Sequence, residues 1–168
     1  MPILRTCWSP FIWNNDVKTG SYAVAFYTMA TSLIIITWTA FEMSGGDSSH
    51  FYMPLFETDV RDTMQLFGGL EIVLFLLMIA FSGLMIKGIK ISNRGFILPW
   101  LWGMAFLIFL QILFGIWLLY GYYIYLQSVM ACLVLWIWMG YNIYCWLCVY
   151  SFYDILREMQ APNIVLLY

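Results

Sequence analysis

Four long apolar stretches alternate along this chain with short polar segments. About 20 apolar residues, rising 1.5 Å each, cross a bilayer core as a helix. The pattern predicts membrane-spanning helices over about 21–43, 66–86, 96–120 and 126–150. The centre of the first, Ser32-Leu33-Ile34-Ile35-Ile36-Thr37-Trp38, carries no charge. Pro99 falls in the first turn of the third, where proline is tolerated. The segment 44–65 is acidic, with Asp47, His50, Glu57, Asp59, Arg61 and Asp62. Segment 87–95 is a short basic loop, and Gly121-Tyr122-Tyr123-Ile124-Tyr125 is a tight aromatic turn. Residues 1–20 do not read as a signal peptide, because Pro2, Pro10 and Asn14-Asn15-Asp16 break their apolar run. Trp8, Phe11 and Trp13 beside Arg5 and Lys18 read instead as a segment lying on the membrane interface.

Charge gives the spans their sides. Short loops rich in Lys and Arg stay in the cytoplasm. Lys87, Lys90 and Arg94 place loop 87–95 there, and Arg5, Lys18 and Arg157 fall on the same side. Only Arg61 falls opposite. The expected fold is therefore all-α: a four-helix transmembrane bundle with both termini cytoplasmic and a short acidic first exoplasmic loop. Residues 1–168 form a single four-pass membrane domain. The composition agrees, with 64% hydrophobic and 10% charged residues, against roughly 25% charged in a soluble domain. No basic patch supports a nucleic-acid partner.

Polar groups inside the spans are the candidate sites. Glu71 lies near the start of the second span, and an ionisable residue at such depth is rare. It reads either as a structural partner for a neighbouring helix or as a proton or ion site. Gln111 and Asn142 are intramembrane amides that read as interhelical hydrogen-bonding groups. Thr28 and Ser32, four residues apart, form a small-residue face for close helix packing. Cys7, Cys145 and Cys148 lie near the cytoplasmic ends, where reversible lipidation occurs; inert packing is the alternative. Cys132 reads as buried and inert. No cysteine lies in the exoplasmic segments, so no exoplasmic disulfide framework is expected. His50 stands alone, and the tryptophans read as packing and interfacial anchors. No nucleophile–base pair, phosphate loop or metal-ligand spacing appears. The sequence therefore points to no enzyme, no cofactor and no metal.

Tyr141-Asn142-Ile143-Tyr144-Cys145-Trp146-Leu147-Cys148-Val149-Tyr150-Ser151-Phe152-Tyr153 at the end of the fourth span carries a family resemblance. Gly95-Phe96-Ile97-Leu98-Pro99-Trp100 and Lys18-Thr19-Gly20 share in it. The chain resembles the insect family of small four-pass proteins that includes the Pasiflora proteins. It is distantly similar to the lysosome-associated four-pass transmembrane proteins. The first resemblance implies a structural component or assembly factor of septate junctions at the lateral plasma membrane, needed for the paracellular barrier. The second implies an endolysosomal trafficking adaptor in the late endosome or lysosome membrane. A small transporter or channel is a third reading, resting on Glu71. The expected partners are membrane lipids, other integral membrane proteins of the junction met in the bilayer plane, and a second copy of the chain.

Overall fold

The computed structural model describes residues 3, 16–44, 61–122 and 126–160. They form α1 (Val17–Met43), α2 (Arg61–Lys90), a single 3-10 turn (Arg94–Phe96), α3 (Leu98–Tyr122) and α4 (Leu126–Gln160). All four helices are long and apolar enough to cross a membrane. A helix closes its backbone hydrogen bonds within itself, which is the condition for sitting in lipid. The helices pack as a ring, α1 against α2 and α4, and α3 against α2 and α4, and the diagonal pairs barely meet.

Helical spacing decides what faces inward. On α1 the buried positions are Val17, Gly20, Ser21, Val24, Ala25, Thr28, Ser32 and Thr39, one stripe that recurs mainly at intervals of three and four. These are small side chains, and they let α1 lie close to its neighbours. Thr28 and Ser32 thus lie inside the bundle. The helices their small face admits belong to this chain, so that face is not open to a separate partner. Large apolar side chains such as Phe26, Leu70, Trp102 and Ile137 point outward. That arrangement is normal where lipid is the solvent. The main core clusters toward the α2–α3 loop and includes Met85, Ile89, Ile97, Trp100, Val149, Phe152 and Leu156. A smaller one, around Leu118 and Cys132, lies toward the α3–α4 turn.

Helices α1, α2 and α4 outrun their expected bounds: α1 begins at Val17, and α2 runs to Lys90, so Lys87 and Lys90 of the expected basic loop form its last turn. α4 has 35 residues, roughly 52 Å at 1.5 Å each, against about 30 Å of hydrocarbon. The segment from Ser151 onward, expected as a tail, is helical to Gln160. Cys148, Phe152 and Leu156 recur every four residues and are all buried, so the inward stripe runs on past the bilayer. Likewise α2 begins at Arg61 and takes the last turn of the expected acidic loop. The rest of that loop, and His50, lie outside the described residues.

The α2–α3 loop closes on itself. Asn93 N–H donates to Gly88 C=O at 2.9 Å, and Ser92 N–H to Ile89 C=O at 3.4 Å. These are the paired bonds of a Schellman ending, in which one residue turns left-handed. Here that residue is Ser92, at φ 53°. Gly88 makes the turn possible: a Cβ there would lie 2.9 Å from Phe96 Cβ and 3.1 Å from Asn93 O. Asn93 Oδ1 accepts from Gly95 N–H at 3.0 Å and caps the 3-10 turn. Gln160 Nε2 donates to Ser92 C=O at 2.5 Å, so the end of α4 clasps the loop.

A left-handed conformation costs an L-residue about 1–2 kcal/mol. Ser92→Gly should therefore stabilise the purified protein by about 1 kcal/mol, and Ser92→Val should destabilise it, as read by thermal unfolding in detergent. Leu156→Ala should cost about 2–4 kcal/mol, the usual loss for a buried leucine. A change within error would mean that the end of α4 is not docked.

Candidate functional site

Most hydroxyls buried along the spans are satisfied locally. Ser21, Thr28, Ser32 and Ser82 each donate to the carbonyl four residues back, at 2.6–2.9 Å. They bring two helices close without bonding across the gap. Among the described residues, the side-chain to side-chain bonds that cross between helices fall into two groups.

The first group is central and joins α1, α3 and α4. Trp138 and Asn142 lie four residues apart on α4 and share a face. Trp138 Nε1 donates to the Tyr27 hydroxyl at 2.6 Å. That hydroxyl donates to Asn142 Oδ1 at 3.2 Å. Asn142 Nδ2 then donates to Gln111 Oε1 at 3.2 Å. The four groups form one directed relay, in which each acceptor polarises the next donor. Asn142 is buried and Gln111 half-buried. Tyr141 closes the side of the cluster, its ring edge-on to Tyr27 with centroids 5.0 Å apart.

The second group joins α1 to α2 at the opposite end from the basic loop. Thr39 Oγ1 donates to Glu71 Oε2 at 3.3 Å. One turn away, a Cβ on Gly68 would lie 2.9 Å from Met43 Sδ and 3.2 Å from Thr39 Cγ2. Gly68 thus permits the close crossing that brings Thr39 within reach of Glu71. Glu71 is exposed, about 9 Å along the helix from Gln65 at 1.5 Å per residue. It stands toward the end of α2 that is opposite the basic loop.

The predicted amides Gln111 and Asn142 are brought together, and Glu71 is apart from them. The sequence reading missed Tyr27, Thr39 and Trp138. The i, i+4 spacing of Trp138 and Asn142 was the available signal for the tryptophan. Nothing local marked Tyr27 or Thr39, which lie far from their partners along the chain. Cys145 is a free, buried thiol, and so is Cys132. Cys148 is fully buried and disulfide-bonded. Neither Cys145 nor Cys148 presents the accessible sulfur that acylation requires, and Cys7 lies outside the described residues. The bonded Cys148 lies toward the end that the charge pattern assigns to the cytoplasm, where disulfides are rare; the bond and that assignment oppose each other. Among the described residues, no three His, Cys, Asp or Glu side chains come together to hold a metal. Among the described residues, the buried Trp100 Nε1 and Ser128 Oγ have no hydrogen-bond partner, and nothing in the structure explains them.

The fold and its cross-links define a multi-pass membrane protein whose interior polar groups bind one another. A family described as a domain of unknown function (DUF4728) matches residues 72–157, more than half of the chain, and the chain belongs to that family. The match spans most of α2, all of α3 and most of α4, and leaves α1 outside. No curated protein and no solved structure matches the chain.

Interhelical hydrogen bonds in membranes average about 0.6 kcal/mol each. Asn142→Leu breaks two of them and strands Tyr27 and Gln111, so it should cost about 1–3 kcal/mol of stability. A double-mutant cycle with Gln111→Leu should return a coupling of about 0.6 kcal/mol. Additive losses would mean that the amides do not meet.

Proposed function

We propose that the chain is a non-enzymatic structural protein of septate junctions, a component or assembly factor of the paracellular barrier at the lateral plasma membrane. The observation that carries the structural half is the use of the intramembrane polar groups. Gln111, Asn142, Tyr27 and Trp138 bond to one another, and Glu71 bonds to Thr39. A transport pathway needs several such groups facing one aqueous cavity, and these instead join helix to helix. The junctional half is supported by the resemblance of 141–153, 95–100 and 18–20 to the insect four-pass family. Both termini are cytoplasmic in this reading, supported by Lys87, Lys90 and Arg94 in one short loop. Partners meet the chain in the membrane plane. With Thr28 and Ser32 buried, the contacts fall on outward side chains such as Trp102 and Phe109 of α3 and Val134 and Ile137 of α4.

The test is to tag the endogenous protein in a polarised insect epithelium, beside a septate-junction marker and a late-endosome marker. The expected signal is lateral and junctional, with dye leaking past cells that lack the protein. Punctate late-endosomal signal with an intact barrier would replace this reading with the trafficking one. Sidedness is read separately. An Asn-x-Thr acceptor inserted at 45–60 should be glycosylated, and one inserted at 87–95 should not; the reverse pattern inverts the orientation.

A further inference from the structure

The end of α2 and the loop that follows it carry three cations and no acid: Lys87 and Lys90 in the last turn of α2, and Arg94 beyond it. None of the three has an ion-pair partner among the described residues. Lys87 and Lys90 are exposed and Arg94 is half-exposed. Lys87 Nζ rests over the Phe96 ring, 5.5 Å from its centroid, so its charge is held near the end of α2. Beside Lys90, Ile91 is 52% exposed at the tip of the loop. An apolar side chain flanked by cations, at the ends of two spans, matches the boundary between headgroups and acyl chains.

The backbone beneath these charges is already set. The Schellman bonds, the Asn93 cap and the Gln160 clasp fix the loop from three directions. The cations therefore stand on a scaffold that need not order itself when an anion arrives. At the same end of the bundle Lys18 and Arg157 are offset by Asp16, Asp154 and Glu158, so the excess of positive charge among the described residues is that of Lys87, Lys90 and Arg94.

We propose that this loop is a docking site for an anionic phospholipid whose headgroup carries more than one phosphate. A singly charged headgroup answers one cation, whereas a polyphosphorylated one answers two or three together. Each Lys or Arg at an anionic membrane surface strengthens binding roughly fivefold. The proposal does not depend on which membrane holds the chain, and it goes beyond the junctional reading.

The full-length protein, purified in mild detergent, would be titrated with phosphatidylinositol 4,5-bisphosphate, phosphatidylserine and phosphatidylcholine, and read by native mass spectrometry. The expected result is saturable binding of one bisphosphate lipid, at least tenfold tighter than phosphatidylserine and absent for phosphatidylcholine. Lys87→Gln, Lys90→Gln and Arg94→Gln combined should weaken it by more than tenfold. Lys18→Gln, outside the loop, should change it by less than twofold, and Lys87→Arg with Lys90→Arg should retain it. Should the triple variant not fold, Arg94→Gln alone should lose roughly fivefold. Equal binding of the two anionic lipids, or unchanged binding by the loop variants, overturns the proposal. Because the measurement is made on isolated protein, its failure leaves the junctional reading standing, and mislocalisation in the epithelium leaves lipid binding standing.

Discussion

Lipid tails compete with leucine side chains for the surface of a helix on nearly equal terms, so burying apolar area does not by itself hold two spans together. What remains is close packing of small surfaces and hydrogen bonds that have no water to compete with. This chain uses both, and in different places. The inner stripe of α1 is almost entirely small, so its neighbours approach closely, and the hydroxyls of Ser21, Thr28 and Ser32 turn back to their own helix. The bonds between helices are then left to a few larger polar side chains, each reaching across a specific crossing.

Those crossings account for the ring. Thr39 and Glu71 close the side between α1 and α2. Tyr27 and Asn142 close the side between α1 and α4. The side between α3 and α4 is closed by Asn142 with Gln111, and again by Trp146 Nε1 donating to Leu101 C=O at 3.0 Å. The side between α2 and α3 needs no such bond, because the short loop ties those helices covalently and is folded tightly against Phe96. Each side carries its own restraint at its own depth, which fixes the height of every helix against the next as well as their order.

The spans were legible because twenty apolar residues in a row have few other uses, and a proline in a first turn marks where a helix starts. The amides were legible as polar groups with nowhere to go but another helix. Their partners were not: hydropathy sees Tyr27 and Trp138 as interfacial aromatics, and only the packed bundle places a phenol against Asn142. The tail from Ser151 onward was misread for a related reason. Span length is judged by the bilayer, and α4 continues beyond it on the strength of Phe152 and Leu156, a stripe that is visible only to someone not already looking for a stop. Thr28 and Ser32 are both buried in the bundle, and their spacing alone does not say whether the approaching helix belongs to the same chain.

The position of α1 follows from the same bonds. It is the one helix outside the family match, and it meets the rest of the bundle across packed interfaces with α2 and α4. Two side chains bond across those interfaces. Tyr27, in its first half, enters the relay of α3 and α4, and Thr39, near its end, reaches the carboxylate of α2. Two bonds separated by three turns, to two different neighbours, oppose both sliding and rotation of α1, where either bond alone would leave a pivot. Glu71 therefore has a structural use that does not require a channel. Glu71, which the sequence leaves open between a structural partner and a proton or ion site, joins Asn142 in holding in register a helix with so few large inward side chains.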